Sequence, residues 1–243
     1  GLNSEEETKF AFEKAGASAD IVHINDVIKK DFKINNYQIL AIPGGFSYGD
    51  DTGSGNAFAG KLKNHLWNDL IRFIASKRLI IGICNGFQIL VNLGLFPVLG
   101  KKYGEREVAL THNDSARYIV RWVDLKVENH TPWLAGISHI SLPIAHGEGK
   151  FYATNTVLQK MKKKNMVALR YVRGETCNWA DLEANPNGSL FDIAGITDET
   201  GRIFGLMPHP ERAQFFYQLP NWTYLKDQYQ RKGKKFPREG PGL

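Results

Sequence analysis

The segment Leu79-Ile80-Ile81-Gly82-Ile83-Cys84-Asn85-Gly86-Phe87-Gln88-Ile89-Leu90 constrains this chain more than any other. Its first five residues form a short apolar run that reads as a buried parallel strand, and Asn85 to Leu93 carries the apolar spacing of a helix. Cys84 stands at the junction, flanked by Gly82 and Gly86. The pattern G-x-nucleophile-x-G at a strand-to-helix turn is a nucleophile elbow, with sulfur in place of a hydroxyl. Such a turn needs small neighbours, because its backbone is strained and the helix passes close behind it. A helix N-terminus behind the sulfur favours negative charge there, and the thiolate is the reactive form. A free cysteine is most often a plain buried side chain; the glycine pair at the junction weighs against that here.

The surrounding pattern is that of an α/β protein. Glu5–Ala15 reads as an amphipathic helix, with Phe10, Ala11 and Ala15 among its apolar positions and Gly16 as its stop. Ile21–Ile24 and Gln38–Ile42 read as strands. Asn56–Ser76 reads as a long helix with Leu62, Leu66, Leu70 and Phe73 on one stripe. This alternation predicts a mainly parallel open sheet with helices on both faces. The second half reads as strands with few helices between them: Tyr118–Val127, His139–Ile144, Met166–Val172, Ile193–Thr197 and Arg202–Met207. Asp198-Glu199-Thr200-Gly201 reads as a hairpin turn. An appended antiparallel layer is therefore expected, in a single domain over 1–243.

Composition narrows the function classes. Two cysteines in 243 residues, Cys84 and Cys177, exclude a disulfide scaffold and fit a reducing compartment. No stretch approaches the length of a membrane span and no secretory signal opens the chain, so a cytoplasmic protein with no membrane contact is expected. The net charge of +6 is concentrated in Lys160–Lys164 and Arg231–Lys235. Neither cluster is interleaved with aromatics as a nucleic-acid surface requires; both read first as solvated surface and second as contacts for an acidic partner subunit. There is no phosphate-binding G-x-x-x-x-G-K-[ST] and no metal-ligand spacing, so no cofactor and no metal are expected in this chain.

A cysteine nucleophile needs a base and a group that orients the base. Of seven histidines, His209 has the most distinctive setting, Met207-Pro208-His209-Pro210-Glu211-Arg212. The two prolines restrict the backbone around it. Glu211 is placed to hold the tautomer whose other nitrogen faces the sulfur. His146 competes, because Ala145-His146-Gly147-Glu148 repeats the His-x-Glu spacing. Spacing alone does not decide between the two; the prolines favour His209, with His146 lining the site or shaping its loop. His23, His65, His112, His130 and His139 have no comparable context. Oxyanion donors are expected from the Asn85 N–H and from a backbone N–H in Pro43-Gly44-Gly45-Phe46, where glycine lets a ligand approach the backbone. Both lie outside the carboxyl ends of strands, where open α/β sheets bind ligands.

These segments, with Phe46-Ser47-Tyr48-Gly49-Asp50, Ile144-Ala145-His146-Gly147-Glu148-Gly149, Arg121-Trp122-Val123 and Asn185-Pro186-Asn187-Gly188-Ser189, resemble class I glutamine amidotransferases over nearly the whole chain. Within that family they are most similar to the glutaminase subunits of phosphoribosylformylglycinamidine synthase, a purine-biosynthesis enzyme. The resemblance implies a flavodoxin-like sheet and a Cys84–His209–Glu211 triad that releases ammonia from glutamine. It implies that Gly44, Gly45, Phe46, Asn85 and Gln88 hold the glutamine, with Asn113 and Ser115 nearby. It implies two partners. A large synthetase subunit would use ATP and magnesium to convert formylglycinamide ribonucleotide to the amidine, and a small accessory subunit would join them. The family places a strand before Gly1-Leu2-Asn3-Ser4 and a helix after Gly240-Pro241-Gly242-Leu243, so a first strand and a last helix are expected to be missing from this sequence. Where Ser4 stands, the family often carries cysteine. Three rival readings are an intracellular-protease-like cysteine hydrolase, a non-enzymatic scaffold, and a domain cut from a single-chain synthase.

Overall fold

Residues 2–100, 102–129 and 131–243 are described by a computed structural model; Gly1, Lys101 and His130, the last one of the histidines set aside above, lie outside the described residues. In chain order the elements are α1 (Glu5–Lys14), α2 (Ile24–Ile28), β1 (Ile39–Ile42), α3 (Asn56–Ala75), β2 (Leu79–Ile83), α4 (Asn85–Asn92), β3 (Val108–Thr111), β4 (Ile119–Val127), β5 (His139–His146), β6 (Lys150–Ala153), α5 (Asn155–Lys163), β7 (Val167–Val172), α6 (Glu175–Ala180), β8 (Ile193–Thr197), β9 (Ile203–Leu206) and α7 (Trp222–Arg231).

Seven strands form one sheet in the order β1-β2-β9-β8-β7-β4-β5, and β3 pairs with β6 in a small second sheet. Strands β1, β2 and β9 run parallel. From β9 onward the pairings are antiparallel. The expected α/β class is borne out, and the antiparallel strands join the parallel ones edge-on in the same sheet. Strand β2 is buried at every position after its first, as a strand covered on both faces requires. Helix α3 buries Leu66, Leu70 and Phe73 at helical spacing and turns Lys61, Lys63 and Asp69 outward, while α4 buries seven of its eight residues between α3 and the sheet. The hairpin at 198–201 is held by its own aspartate: Asp198 Oδ1 accepts the N–H groups of Arg202 and Ile203, each at 3.0 Å.

Several local expectations are corrected. Ile21–Ile24 is not a strand. His23 caps α2, its Nδ1 accepting the Asn25 N–H at 3.3 Å, and Ile24 opens that helix. Residues 20–23 line one wall of an apolar cavity of about 380 Å³ whose other wall is Leu40–Pro43, so they face β1 without pairing to it. Helix α1 forms as expected, but Phe10 is exposed and Thr8 is its buried residue. Helices between the second-half strands are few, as expected: among the described residues α5 and α6 separate them and α7 follows. The cluster Lys160–Lys164 ends α5, which buries Leu158 and Met161 three residues apart and carries its lysines in the last turn, where the helix dipole favours cations. The terminal Gly240-Pro241-Gly242 folds back: Gly240 N–H donates to Gln214 O at 2.9 Å and Gly242 N–H to Ala213 O at 2.8 Å.

Candidate functional site

Three neighbouring parallel strands deliver the three motifs to one edge of the sheet. Ile42 of β1 pairs with Gly82 of β2, and Ile83 of β2 with Leu206 of β9. The residues just past each carboxyl end, Pro43-Gly44, Cys84 and Met207-Pro208-His209, therefore emerge side by side. Cys84 N–H donates to Leu206 O at 2.8 Å and fastens the elbow to β9. Cys84 itself has φ 50 and ψ −107, outside the regions that side chains favour. The flanking glycines are steric requirements. A Cβ on Gly86 would lie 1.9 Å from Ile42 O, and one on Gly82 would lie 2.6 Å from Gly86 O.

His209 sits beside Cys84, with Gly44 in contact with both. A Cβ on Gly44 would stand 2.8 Å from His209 Cε1 and 3.5 Å from Cys84 Cβ. The imidazole is buried, and its backbone N–H donates to Pro143 O at 2.8 Å. Nδ1 donates to Glu211 Oε1 at 2.5 Å, so the orienting partner expected from the sequence is in contact. Burial alone would lower the His209 pKa. The Cys84 sulfur beside it and the Glu211 carboxylate outweigh burial and push it up to about 9. The imidazolium therefore persists through neutral pH next to the sulfur.

His146 is the opposite case. It is buried, its Nδ1 donates to Asn113 Oδ1 at 3.1 Å, and burial followed by the His209 charge lowers its pKa to about 4. Two histidines with the same His-x-Glu spacing thus carry different charge, and only His209 has a carboxylate on its ring. This difference has a measurable consequence. Between pH 6.5 and 4 the unfolded chain binds a proton at His146 that the folded chain refuses, so folding stability is present above 6.5 and falls as pH drops through that window. His146→Gln is expected to flatten the acid limb of thermal midpoint against pH. An unchanged slope would assign the limb to other groups.

The remaining expected residues divide. Asn85 and Gln88 lie in the first turn of α4 with their side chains hydrogen-bonded to each other, Asn85 Nδ2 to Gln88 Oε1 at 2.8 Å. Gly45 has φ 148, a conformation glycine favours, and Phe46 is exposed with its ring 6.0 Å from that of Tyr118. Asn113 is buried and committed to the 146–149 segment, donating to His146 O at 2.9 Å and accepting from Gly149 N–H at 3.1 Å. Ser115 lies on an exposed turn, its hydroxyl accepting the Arg117 N–H at 3.3 Å, and makes no hydrogen bond to the other expected residues. Among the described residues no group of three or more His, Cys, Asp or Glu side chains is arranged to hold a metal ion, and no helix is long and apolar enough to cross a membrane.

The structure adds residues the sequence reading passed over. Ala145 O lies 3.7 Å from Cys84 Sγ and also accepts the Tyr118 hydroxyl at 3.0 Å. Asn3 and Ser4 N–H groups both donate to Gly44 O, at 3.1 and 3.2 Å, and fix the Gly44–Phe46 loop from outside. Arg212 donates to Ser4 Oγ at 3.0 Å, and Gln214 Nε2 donates to Glu211 O at 2.7 Å. Asp50 accepts from Asn85 Nδ2 at 3.1 Å; burial raises its carboxyl above the usual range, with Glu148 adding to the rise. The Asn185–Ser189 motif is a buttress, in which Ser189 Oγ accepts the Phe151 N–H at 3.0 Å beside the 146–149 segment.

Comparison with known proteins places the chain. The sequence profile of the CobB/CobQ-like glutamine amidotransferase domain matches residues 1–238. The chain is 50% identical over 241 residues to the phosphoribosylformylglycinamidine synthase subunit PurQ of Methanococcus maripaludis strain S2, covering 98% of this chain and 88% of that protein. It is 42% identical over 224 residues to PurQ of Dehalococcoides mccartyi, covering 91% and 86%. A chain in the structure of PurLQS from Thermotoga maritima superposes with a TM-score of 0.68 and 35% identity, covering 88% of this chain and 84% of that one. A second Thermotoga maritima structure, a glutamine amidotransferase at 15% identity and TM-score 0.51, covers 96% and 80% and shares the fold alone.

Proposed function

The chain belongs to the CobB/CobQ-like glutamine amidotransferase family, and from that premise we propose that it is the glutaminase component of a phosphoribosylformylglycinamidine synthase. It is a glutamine amidotransferase. The choice of synthase rests on one observation, that half of its residues match PurQ over nearly its whole length; the meeting of Cys84, His209 and Glu211 at one point supports the glutaminase chemistry.

The geometry supports a triad mechanism. Cys84 sulfur attacks the carboxamide carbon of glutamine, forming the S–C bond. The oxyanion is held by the Asn85 N–H, which as a first-turn helix amide has no partner within its own helix, and by an N–H of Gly44–Phe46. His209 gives its Nε2 proton to the leaving nitrogen as the C–N bond breaks and ammonia departs. The neutral imidazole then takes a proton from water, which cleaves the thioester to glutamate. Nδ1 is taken by Glu211, so the buried Nε2 is the nitrogen left to serve the Cys84 sulfur and the leaving group. Glu211 holds the other nitrogen throughout.

Ammonia released here would be wasted without an acceptor. We assign ATP, magnesium and formylglycinamide ribonucleotide to a PurL-like synthetase, because this sequence has no phosphate-binding loop; the likeness to PurLQS supports a PurS-like accessory subunit, and the likeness to purine-biosynthesis subunits supports a cytoplasmic location. The reading predicts weak glutaminase activity from the isolated chain and stimulation of about 10²–10³-fold by the synthetase with its nucleotide and substrate, the scale of one oxyanion donor moving into place. Steady-state glutamate release with and without the partner measures it. Full activity from the isolated chain, unchanged by partner, would overturn the dependence.

A further inference from the structure

We propose that the Asn85 carboxamide is a positioning residue for this reaction, holding the strained 47–50 turn and, through Gln88, the 146–149 segment on the two sides of the Cys84 sulfur. The inference rests on the amidotransferase reading above. It assigns to the side chain a role separate from that of the Asn85 backbone N–H.

An elbow asks only a backbone N–H of the residue after its nucleophile. Here that residue has a fully buried carboxamide with three partners. Its Oδ1 accepts the Ser47 N–H at 3.0 Å, and its Nδ2 donates to Asp50 Oδ1 at 3.1 Å and to Gln88 Oε1 at 2.8 Å. One donor group and one acceptor thus tie both ends of the turn that directly follows Gly44–Phe46.

The turn has one backbone hydrogen bond across its start, Gly49 N–H to Phe46 O at 3.0 Å, for three residues of costly backbone. Tyr48, Gly49 and Asp50 have φ of 54, 69 and 55, three consecutive left-handed residues of which two are not glycine. Such a run persists only where its surroundings over-determine it. Asn85 is the side chain that reaches both of its flanks, with a further tie from Gly55 N–H to Asp50 Oδ1 at 3.3 Å. On the other side, Gln88 Nε2 donates to Glu148 O at 2.6 Å, three residues past the Ala145 carbonyl that meets the sulfur. Both walls of the site are thereby referenced to the first turn of the helix that follows Cys84, and the oxyanion donors keep their distance from the nucleophile.

The test uses the chain reconstituted with its synthetase partners. Asn85→Ala removes the three hydrogen bonds of the carboxamide and leaves those of Gly55 to Asp50 and of Gln88 to Glu148. Asn85→Asp keeps the acceptor for Ser47 but turns an oxygen toward Asp50 and Gln88 Oε1. Both are expected to lower kcat for glutamine by about 10²-fold or more, the scale of a misplaced oxyanion donor. Alkylation of Cys84 by iodoacetamide, which needs no oxyanion donor, should stay within about threefold of wild type, because the sulfur and His209 are untouched. Asp50→Asn in the Asn85→Asp background restores a donor facing an acceptor at that contact, at the expense of the Gly55 N–H that shares Asp50 Oδ1, and should recover kcat severalfold, which loss of packing would not allow. The proposal is overturned if Asn85→Ala keeps kcat within twofold, or if kcat and alkylation fall together and the double substitution recovers neither. A wild-type complex without glutaminase activity would overturn the amidotransferase reading and this inference with it. An active wild type matched by its Asn85→Ala variant would overturn this inference alone.

Discussion

Cys84→Ala is expected to abolish glutamine-dependent synthesis by the reconstituted synthase while leaving synthesis from ammonium salts at the wild-type rate. The two halves of that result come from different places. Removing a triad nucleophile costs on the order of 10⁶ in kcat, because no other group can form the covalent intermediate. The ammonia-using step would lie on another subunit and would not sense the sulfur. The substitution is also structurally mild. Cys84 contributes a small side chain whose sulfur meets Ala145 O and His209, and alanine fits the same elbow. Circular dichroism and complex formation should match wild type. Retained glutamine-dependent synthesis would remove Cys84 from the chemistry; equal loss with ammonium would make it a structural residue.

The second large effect separates base from orienter. His209→Ala should cost about as much as loss of the nucleophile, on the order of 10⁶, whereas Glu211→Ala should cost about 10⁴, since the imidazole can still turn over without its carboxylate. A pH series makes the assignment independent of rate. His209 titrates near 9 in the fold and near 6.5 unfolded, so between those values the folded chain holds the extra proton. Its contribution to stability is fully present below pH 6.5 and is lost as pH rises through 9. Wild type should therefore lose stability over that window, and both His209→Ala and Glu211→Ala should lose less of it, the second because one of the charges holding the imidazolium is gone. Wild-type kcat/KM in Glu211→Ala would remove the carboxylate from the mechanism, and damage from His146→Ala equal to that from His209→Ala would reopen the choice of base.

The parts of this structure that the sequence disclosed are those whose cause is local. Gly82-Ile83-Cys84-Asn85-Gly86 specifies its own turn, and the Leu66, Leu70 and Phe73 stripe specifies the buried face of α3. Pro208-His209-Pro210-Glu211 carried its geometry in four residues, and the structure brings Glu211 onto the imidazole as the spacing implied. What stayed hidden is of two kinds. In α5 the lysines masked a two-residue apolar face, Leu158 and Met161, too small to register as a stripe. At the site, the ties run between residues far apart in sequence. Ser4 reaches Arg212, Asn85 reaches Ser47 and Asp50, and Gln88 reaches Glu148, through single side-chain hydrogen bonds that leave no periodic trace. Ile21–Ile24 shows the converse error, since β-branched residues favour a strand only where a neighbour offers its backbone to pair.

The elbow also governs how a lineage built on this fold can change. The atoms that forbid a side chain at residues 82 and 86 are the main-chain oxygens of Gly86 and Ile42, which no second substitution can trim away. The sulfur has no such protection, for one exchange at residue 84 removes it and leaves the turn in place. Descendants that abandon ammonia chemistry and survive as scaffolds should therefore keep both glycines long after the cysteine is gone. In such a lineage an intact glycine pair around alanine or glycine marks a retired enzyme, whereas loss of either glycine marks a different architecture.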